Sequence, residues 1–165
     1  MSTDEQGAAA TRVLDLCRAR GLTLATAESC TGGLVAAALT DIPGSSDVVD
    51  CGFVTYSNEA KQILLGVPAA TLGAHGAVSR ETAEAMARGA LSASGADIVV
   101  AITGIAGPGG GTAEKPVGLV HFAAAGSSTL LHREKRYGDL GRSEVRRRSV
   151  LDALALLERL ANSQA

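Results

Sequence analysis

Ser29 stands where an apolar stretch, Leu22 to Ala27, runs into Glu28-Ser29-Cys30-Thr31-Gly32-Gly33. A serine there sits at a strand end just before a helix. In open α/β sheets that is where ligands gather. The backbone amides of Cys30, Thr31, Gly32 and Gly33 would be free at the helix start, able to hold an oxyanion or a phosphate. The glycine pair lets a ligand approach the backbone closely. The plainer alternative is that Ser29 or Thr31 only caps the helix. The segment is not a GxSxG elbow, because Ala27 and Thr31 hold the glycine positions.

Lys61 follows Tyr56-Ser57-Asn58 by one helical turn. On a surface it would be one solvated charge among many. Folded back over the strand end it would be desolvated, its pKa lowered, and able to act as a neutral base for a serine. Tyr56 could then relay a proton or orient a ligand, or simply cover a core edge. No SxxK spacing links Ser29 to Lys61, so spacing alone leaves the pair open. A second candidate is the run from Thr103 through Gly104, Gly107 and Gly109 to Thr112, the most glycine-dense part of the chain. It suits an anion or a flat ring, or is a bare flexible turn. No Lys-Ser/Thr follows Gly109, so it is not a Walker loop, and it lacks the dinucleotide fingerprint.

Residues 133–148 hold seven basic side chains against three acidic ones, a local charge of +4. Arg142 and Arg146 are four apart and share a helix face if Arg142 lies in the first turn. They form a phosphate clamp, or else a solvated face or subunit salt bridges. His75, His121 and His132 show no HxxxH pattern, and no metal site is expected. His75 lies in a Gly-Ala loop from which it could touch a ligand.

The elements that must position these groups follow from periodicity. Thr3 and Gln6 suggest a capping box for a first helix with Ala10, Val13, Leu14 and Cys17 on one face, ended by Gly21. Strands are expected over Leu22–Ala27, Val48–Tyr56 and Ile98–Thr103. Val117–Ala124 and Thr129–Arg136 read as an antiparallel pair joined at Gly126-Ser127. Helices are expected from Leu34 to Leu39, after the Ser57-Asn58 cap to Leu65, from Ser79 to Gly95, and after a Ser143 cap. Pro68 stops the second of these. The order α-β-α-β-α-α-β-β-β-α predicts a three-layer α/β/α fold with a mixed, mostly parallel sheet of about five strands, in one domain over 1–165.

Composition bounds the rest. The chain has 165 residues, net charge −2, 46% hydrophobic and 19% charged residues, which excludes disorder. It carries 20 Gly but only two Phe, two Tyr and no Trp. That argues against an aromatic-rich sandwich and against base-stacking platforms. Near-neutral charge weighs against a nucleic-acid partner. Cys17, Cys30 and Cys51 form no CxxC and read as thiols in a reducing compartment. No apolar run reaches the length of a membrane span. The first residues are acidic where a signal peptide needs basic ones, so a cytoplasmic location without a membrane partner is expected.

Taken together the motifs resemble the CinA C-terminal domain family, whose stand-alone members are nicotinamide-nucleotide amidases. The carrying segments are TLATAESCTGGLVAAALTDIPGSS, GFVTYSNEAKQILLGV, GAVSRETAEAMARGA and AITGIAGPGGGTAEKPVGLV, in family order over most of residues 10–124. Longer members carry a preceding molybdopterin-binding-like domain, so this chain resembles the amidase unit alone. The resemblance implies hydrolysis of the carboxamide of nicotinamide mononucleotide to nicotinate mononucleotide and ammonia, in pyridine-nucleotide recycling. It implies no cofactor, a small-molecule nucleotide substrate and a homo-oligomer. Ser29 matches the nucleophile, Lys61 its base, Tyr56 the nearby tyrosine and Thr103 a ligand-contacting threonine. Glu28, Cys30, Thr31, Gly32, Gly33, Gly104, Gly107, Gly109 and Arg142 are the expected substrate-binding set, with the glycine-rich loop favoured for the phosphate. The chain departs from the family pattern at Leu140-Gly141, two residues inserted between Gly138-Asp139 and Arg142. The alternative is a non-catalytic nucleotide-binding or interaction domain of the same family.

Overall fold

The computed structural model describes residues 2–164, with side chains from Asp4 onward. The elements run α1 (Ser2–Arg20), β1 (Leu24–Glu28), α2 (Leu34–Thr40), a 3-10 turn (Ser45–Asp47), β2 (Val49–Val54), α3 (Asn58–Leu65), α4 (Ala69–His75), α5 (Arg80–Ser94), β3 (Ile98–Gly104), β4 (Leu119–Ala125), β5 (Leu130–Arg136) and α6 (Arg142–Ser163). The strands lie in the order β2-β1-β3-β4-β5. β1 pairs parallel with both β2 and β3, while β3–β4 and β4–β5 are antiparallel. Only β4 therefore runs against the other strands, as expected of a mixed sheet that is mostly parallel.

Two apolar layers sandwich the sheet. On one face α1, α2 and α6 pack Leu14, Val35, Leu39, Leu154 and Leu157 against Leu24, Val100, Ile102 and Phe122. On the other, Leu65, Leu72, Ala83, Met86, Ala87 and Ala90 pack against Ala25, Ala27, Ala101 and Ala123. Alanine predominates in this second interface, which brings α5 close to the sheet. The scarcity of aromatics thus has a packing reason. β3 has both faces covered and reads as the continuous apolar run that such strands require.

The caps behave as their chemistry dictates. Ser57 accepts the Ala60 amide at 3.0 Å and Ser79 the Thr82 amide at 3.1 Å. Gly66 and Gly95 end α3 and α5 in the left-handed conformation. Two expectations change, and a third falls outside the described residues. The Thr3 side chain, expected in a capping box, lies outside the described residues. α4 fills what the sequence suggests is a loop: it has two turns and one buried residue, Leu72, too few for a helical period to register. Pro68, two residues beyond the Gly66 cap of α3, immediately precedes this helix. α6 begins at Arg142 after Gly141, so Ser143 sits within its first turn and does not cap it. Among the described residues, no helix is long and apolar enough to cross a membrane.

α3, which carries Lys61, is seated by a glycine. A Cβ on Gly89 of α5 would stand 1.8 Å from the Leu65 carbonyl oxygen. A mid-helix glycine normally costs about 1 kcal/mol relative to alanine, so here the close approach outweighs helix propensity. Gly89→Ala should push the end of α3 outward and destabilise the fold by about 2 kcal/mol, lowering Tm by roughly 4–8 °C. Thermal unfolding of the variant against the parent chain measures this. An unchanged or raised Tm would contradict the packing account.

Candidate active site

β1 delivers Ser29 while still in the sheet: the Ser29 amide donates to the Ile102 carbonyl of β3 at 2.9 Å. The chain then turns sharply. The Gly32 amide donates to the Ser29 carbonyl at 3.0 Å, and Gly33 takes φ 104° to enter α2. Glu28, expected to touch substrate, does something else. It is fully buried, and its two carboxylate oxygens accept the Val35 and Ala36 amides at 2.9 and 3.0 Å. Glu28 thus satisfies the orphan donors of α2 and complements its dipole, holding the turn from beneath. The set of free amides is correspondingly narrower than expected. Gly32 donates within the turn, whereas the amides of Cys30, Thr31 and Gly33 have no acceptor among the described residues.

Lys61 closes the site from α3. Ser57 fixes the start of that helix, and one turn later the Lys61 side chain points inward, 1% exposed. Its Nζ lies 3.0 Å from Ser29 Oγ and 2.8 Å from the Thr55 carbonyl oxygen. Among the described residues no carboxylate pairs with it. Burial pushes its pKa below the ordinary lysine value. The amine donates to the Thr55 carbonyl, and once it has lost a proton it offers its lone pair to the Ser29 hydroxyl. Cys30, the neighbouring thiol, is no rival nucleophile: burial pushes its pKa up to about 12.

A cavity of about 230 Å³ opens beside the pair. Seven of the expected residues line it: Ser29, Cys30, Tyr56, Lys61, Thr103, Gly104 and Arg142. Ala77, Val78 and Ala106 line it too and were not anticipated. Ala77-Val78 lies just before the Ser79 cap, and its signal in the sequence is membership of the family segment GAVSRETAEAMARGA. Thr103 donates its hydroxyl to the Ala77 carbonyl at 2.8 Å, which joins β3 to that segment. Glu28, Thr31, Gly32, Gly33, Gly107 and Gly109 are not on the cavity wall. Gly107 still reaches it indirectly, since its carbonyl accepts Arg142 Nη1 at 2.9 Å. Gly109 lies on the exposed outer part of the loop.

Arg142 also donates from Nη2 to the Tyr56 hydroxyl at 2.8 Å. One guanidinium therefore ties the β2–α3 connection to the glycine-rich loop across the cavity mouth. The loop is pinned at its base by Ile105 to Leu119 and Gly118 to Ile105 backbone bonds. The Lys115 ammonium holds it to the His75 carbonyl at the end of α4. His75, which the sequence left free to touch a ligand, instead has its ring 3.7 Å from Glu81 and lies off this cavity. Most of the basic segment is engaged in ion pairs: Arg133 and Lys135 with Asp152, Arg136 with Glu134, Arg147 with Glu5 and Glu144, Arg148 with Glu144. Of this segment only Arg142 and Arg146 are directed at the site's loops.

A family profile described as the CinA C-terminal domain matches residues 6–161. A CinA-like protein of Synechococcus sp. (strain RCC307) is 57% identical over 146 residues, covering 88% of this chain and 35% of that protein. The chain thus spans about a third of the length of the curated relatives it matches. Among solved structures, competence/damage inducible protein CihA from Agrobacterium tumefaciens superposes with TM-score 0.93 at 55% identity, covering 96% of both chains. A CinA superfamily protein from Klebsiella pneumoniae superposes with TM-score 0.91 at 39% identity, covering 96% of this chain and 99% of that one. With the profile spanning nearly all its residues and these relatives sharing its fold and much of its sequence, the chain belongs to the CinA C-terminal domain family.

Proposed function

We propose that this chain is an amidohydrolase that converts nicotinamide mononucleotide to nicotinate mononucleotide and ammonia. The observation that carries the proposal is the buried contact of 3.0 Å between Lys61 Nζ and Ser29 Oγ. A serine hydroxyl is a weak nucleophile unless a base takes its proton, and a desolvated amine is such a base. Lys61 takes the Ser29 proton as Oγ bonds to the carboxamide carbon. The oxyanion accepts from the amides beside Ser29, those of Cys30 and Thr31 being the free ones. Collapse breaks the C–N bond, and the nitrogen leaves as ammonia with the proton held by Lys61. A water then loses a proton to the same amine as it attacks the acyl carbon; the ester bond to Oγ breaks, Lys61 returns that proton to Ser29 Oγ, and the acid product ionises to the carboxylate.

The cavity supports a ring-sized group. Its 230 Å³ is below the roughly 300–1,000 Å³ of sites that enclose a whole ligand. The carboxamide ring enters, and the ribose phosphate stays at the mouth, where Arg142 and the glycine-rich loop meet. Two of the five guanidinium N–H groups of Arg142 are used within the chain, leaving the others for phosphate oxygens. Tyr56, tied to Arg142 and 61% exposed, orients the ligand at this mouth.

Ser29→Ala should lower ammonia release from the mononucleotide at least about 1,000-fold. Comparable rates in the variant and the parent would remove Ser29 as nucleophile. The parent rate should rise with pH as Lys61 loses its proton, with a midpoint below the ordinary lysine value of 10.5. A flat profile would remove Lys61 as the base.

The same burial has a stability consequence. Lys61 binds its proton more weakly in the fold than in the unfolded chain, so stability rises with pH between its lowered pKa and 10.5. The penalty is fully present below that window. Lys61→Met should therefore be inactive yet more stable at neutral pH by about 1 kcal/mol, roughly 2–4 °C in Tm. The gain should shrink as pH is raised. Unfolding scans across pH measure it, and a gain that grows with pH would contradict this account.

A further inference from the structure

Arg146 lies one helical turn after Arg142 on α6, half-buried, and has no carboxylate partner among the described residues. Its Nε donates to the Cys30 carbonyl at 3.1 Å and its Nη2 to the Thr31 carbonyl at 3.3 Å. The guanidinium fits against Gly32, where a Cβ would stand 3.3 Å from Nη2. A cation with two neutral backbone acceptors, on the turn that follows a candidate nucleophile, is not a surface ion pair. It is also poorly placed as a phosphate clamp, because unlike Arg142 it does not line the cavity.

The peptide group explains what the contact does. A trans peptide is planar, so its C=O and N–H point in opposite directions. The Cys30 carbonyl shares its plane with the Thr31 amide, and the Thr31 carbonyl with the Gly32 amide. Drawing both carbonyls toward α6 turns both amides away from it. The Gly32 amide then meets the Ser29 carbonyl and closes the turn, while the Thr31 amide has no acceptor among the described residues. A charge-assisted bond to a carbonyl also polarises its peptide unit, making the N–H at the other end a stronger donor.

The geometry points to Arg146 as a positioning residue that orients and polarises the Thr31 amide as an oxyanion donor for Ser29. It acts through the backbone and touches no substrate. Glu28 holds the α2 side of the same turn through the Val35 and Ala36 amides. The turn is thereby clamped from two elements, by an anion on its amides and a cation on its carbonyls. This inference rests on the serine-nucleophile reading and adds a role which that reading does not contain.

The test uses a fluorophosphonate probe on the full chain, read by intact mass. Ser29 Oγ bonds to phosphorus, the P–F bond breaks, fluoride leaves, and the serine proton passes to Lys61. The phosphoryl oxygen occupies the oxyanion site, so the readout does not depend on the natural carboxamide. Arg146→Gln should slow labelling about 10- to 100-fold and lower kcat for ammonia release similarly, with KM within about twofold. Arg146→Lys, which keeps the charge but not the fork, should recover part of the loss, and free guanidinium should partly rescue Arg146→Ala. Circular dichroism checks folding, and Arg146→Lys carries the test if the neutral variants do not fold. Labelling at the parent rate in folded variants would overturn the inference. So would a raised KM with unchanged kcat, the signature of a phosphate ligand. Failure of the parent Ser29 to label would overturn the nucleophile reading and this inference with it. Parent labelling without ammonia release from the mononucleotide, with slow labelling in Arg146→Gln, would overturn only the substrate assignment and uphold the role of Arg146.

Discussion

The amine of Lys61 is held out of water against a serine hydroxyl and a single backbone carbonyl. Removing a cationic group from water is costly, and no neighbouring carboxylate offsets the cost here. The surrounding structure has to impose the contact. α3 is started by the Ser57 cap, stopped at Gly66, and pressed onto α5 at Gly89, so the helix has little freedom to withdraw the side chain. The sheet holds the other partner, because β1 lies between two parallel neighbours and the Ser29 amide is still bonded to β3. Helix packing and sheet pairing are thus directed at one polar contact.

Small residues make this geometry attainable. Alanines on β1, β3, β4 and α5 let the helix lie close to the sheet. Gly32 admits the Arg146 guanidinium beside the turn, and Gly104 contributes to the cavity wall. Bulky aromatic residues at these positions would separate the layers and pull Lys61 away from Ser29. Charge is then applied at a few backbone positions. Glu28 takes amides, Arg146 and Lys115 take carbonyls, and Arg142 joins two loops at the mouth. Long charged side chains from distant elements brace loops that have little side-chain packing of their own.

Much of this was legible from sequence. The capping serines, the terminating glycines, the both-face burial of β3 and the hairpin of β4 and β5 all rest on local patterns, and local patterns are physical preferences of nearby residues. α4 was missed because two turns with one buried leucine make no periodic signal. The α6 start was misplaced because Ser143 has the chemistry of a cap, whereas the helix already begins at Arg142, directly after Gly141. The bracing of α2 by Glu28 was not legible because a place in a motif does not reveal which way a side chain faces.

The residues themselves determined which chemistry was available: a serine at a strand end, a lysine one turn into a helix, glycine-rich turns, and a family likeness that marked them out. Spacing along the chain left the Ser29–Lys61 pairing open, since the two are 32 residues apart with a strand between them. Only the parallel pairing of β1 and β2, with α3 packed on α5, brought the amine to the hydroxyl and buried it. Likewise the basic run near the C-terminus was visible as charge. Tertiary contacts sorted it into ion pairs, a mouth residue and a clamp on the turn. The physical reason is the same in each case: residue type sets what a group can do, while desolvation and hydrogen-bond geometry depend on neighbours that only the folded chain supplies.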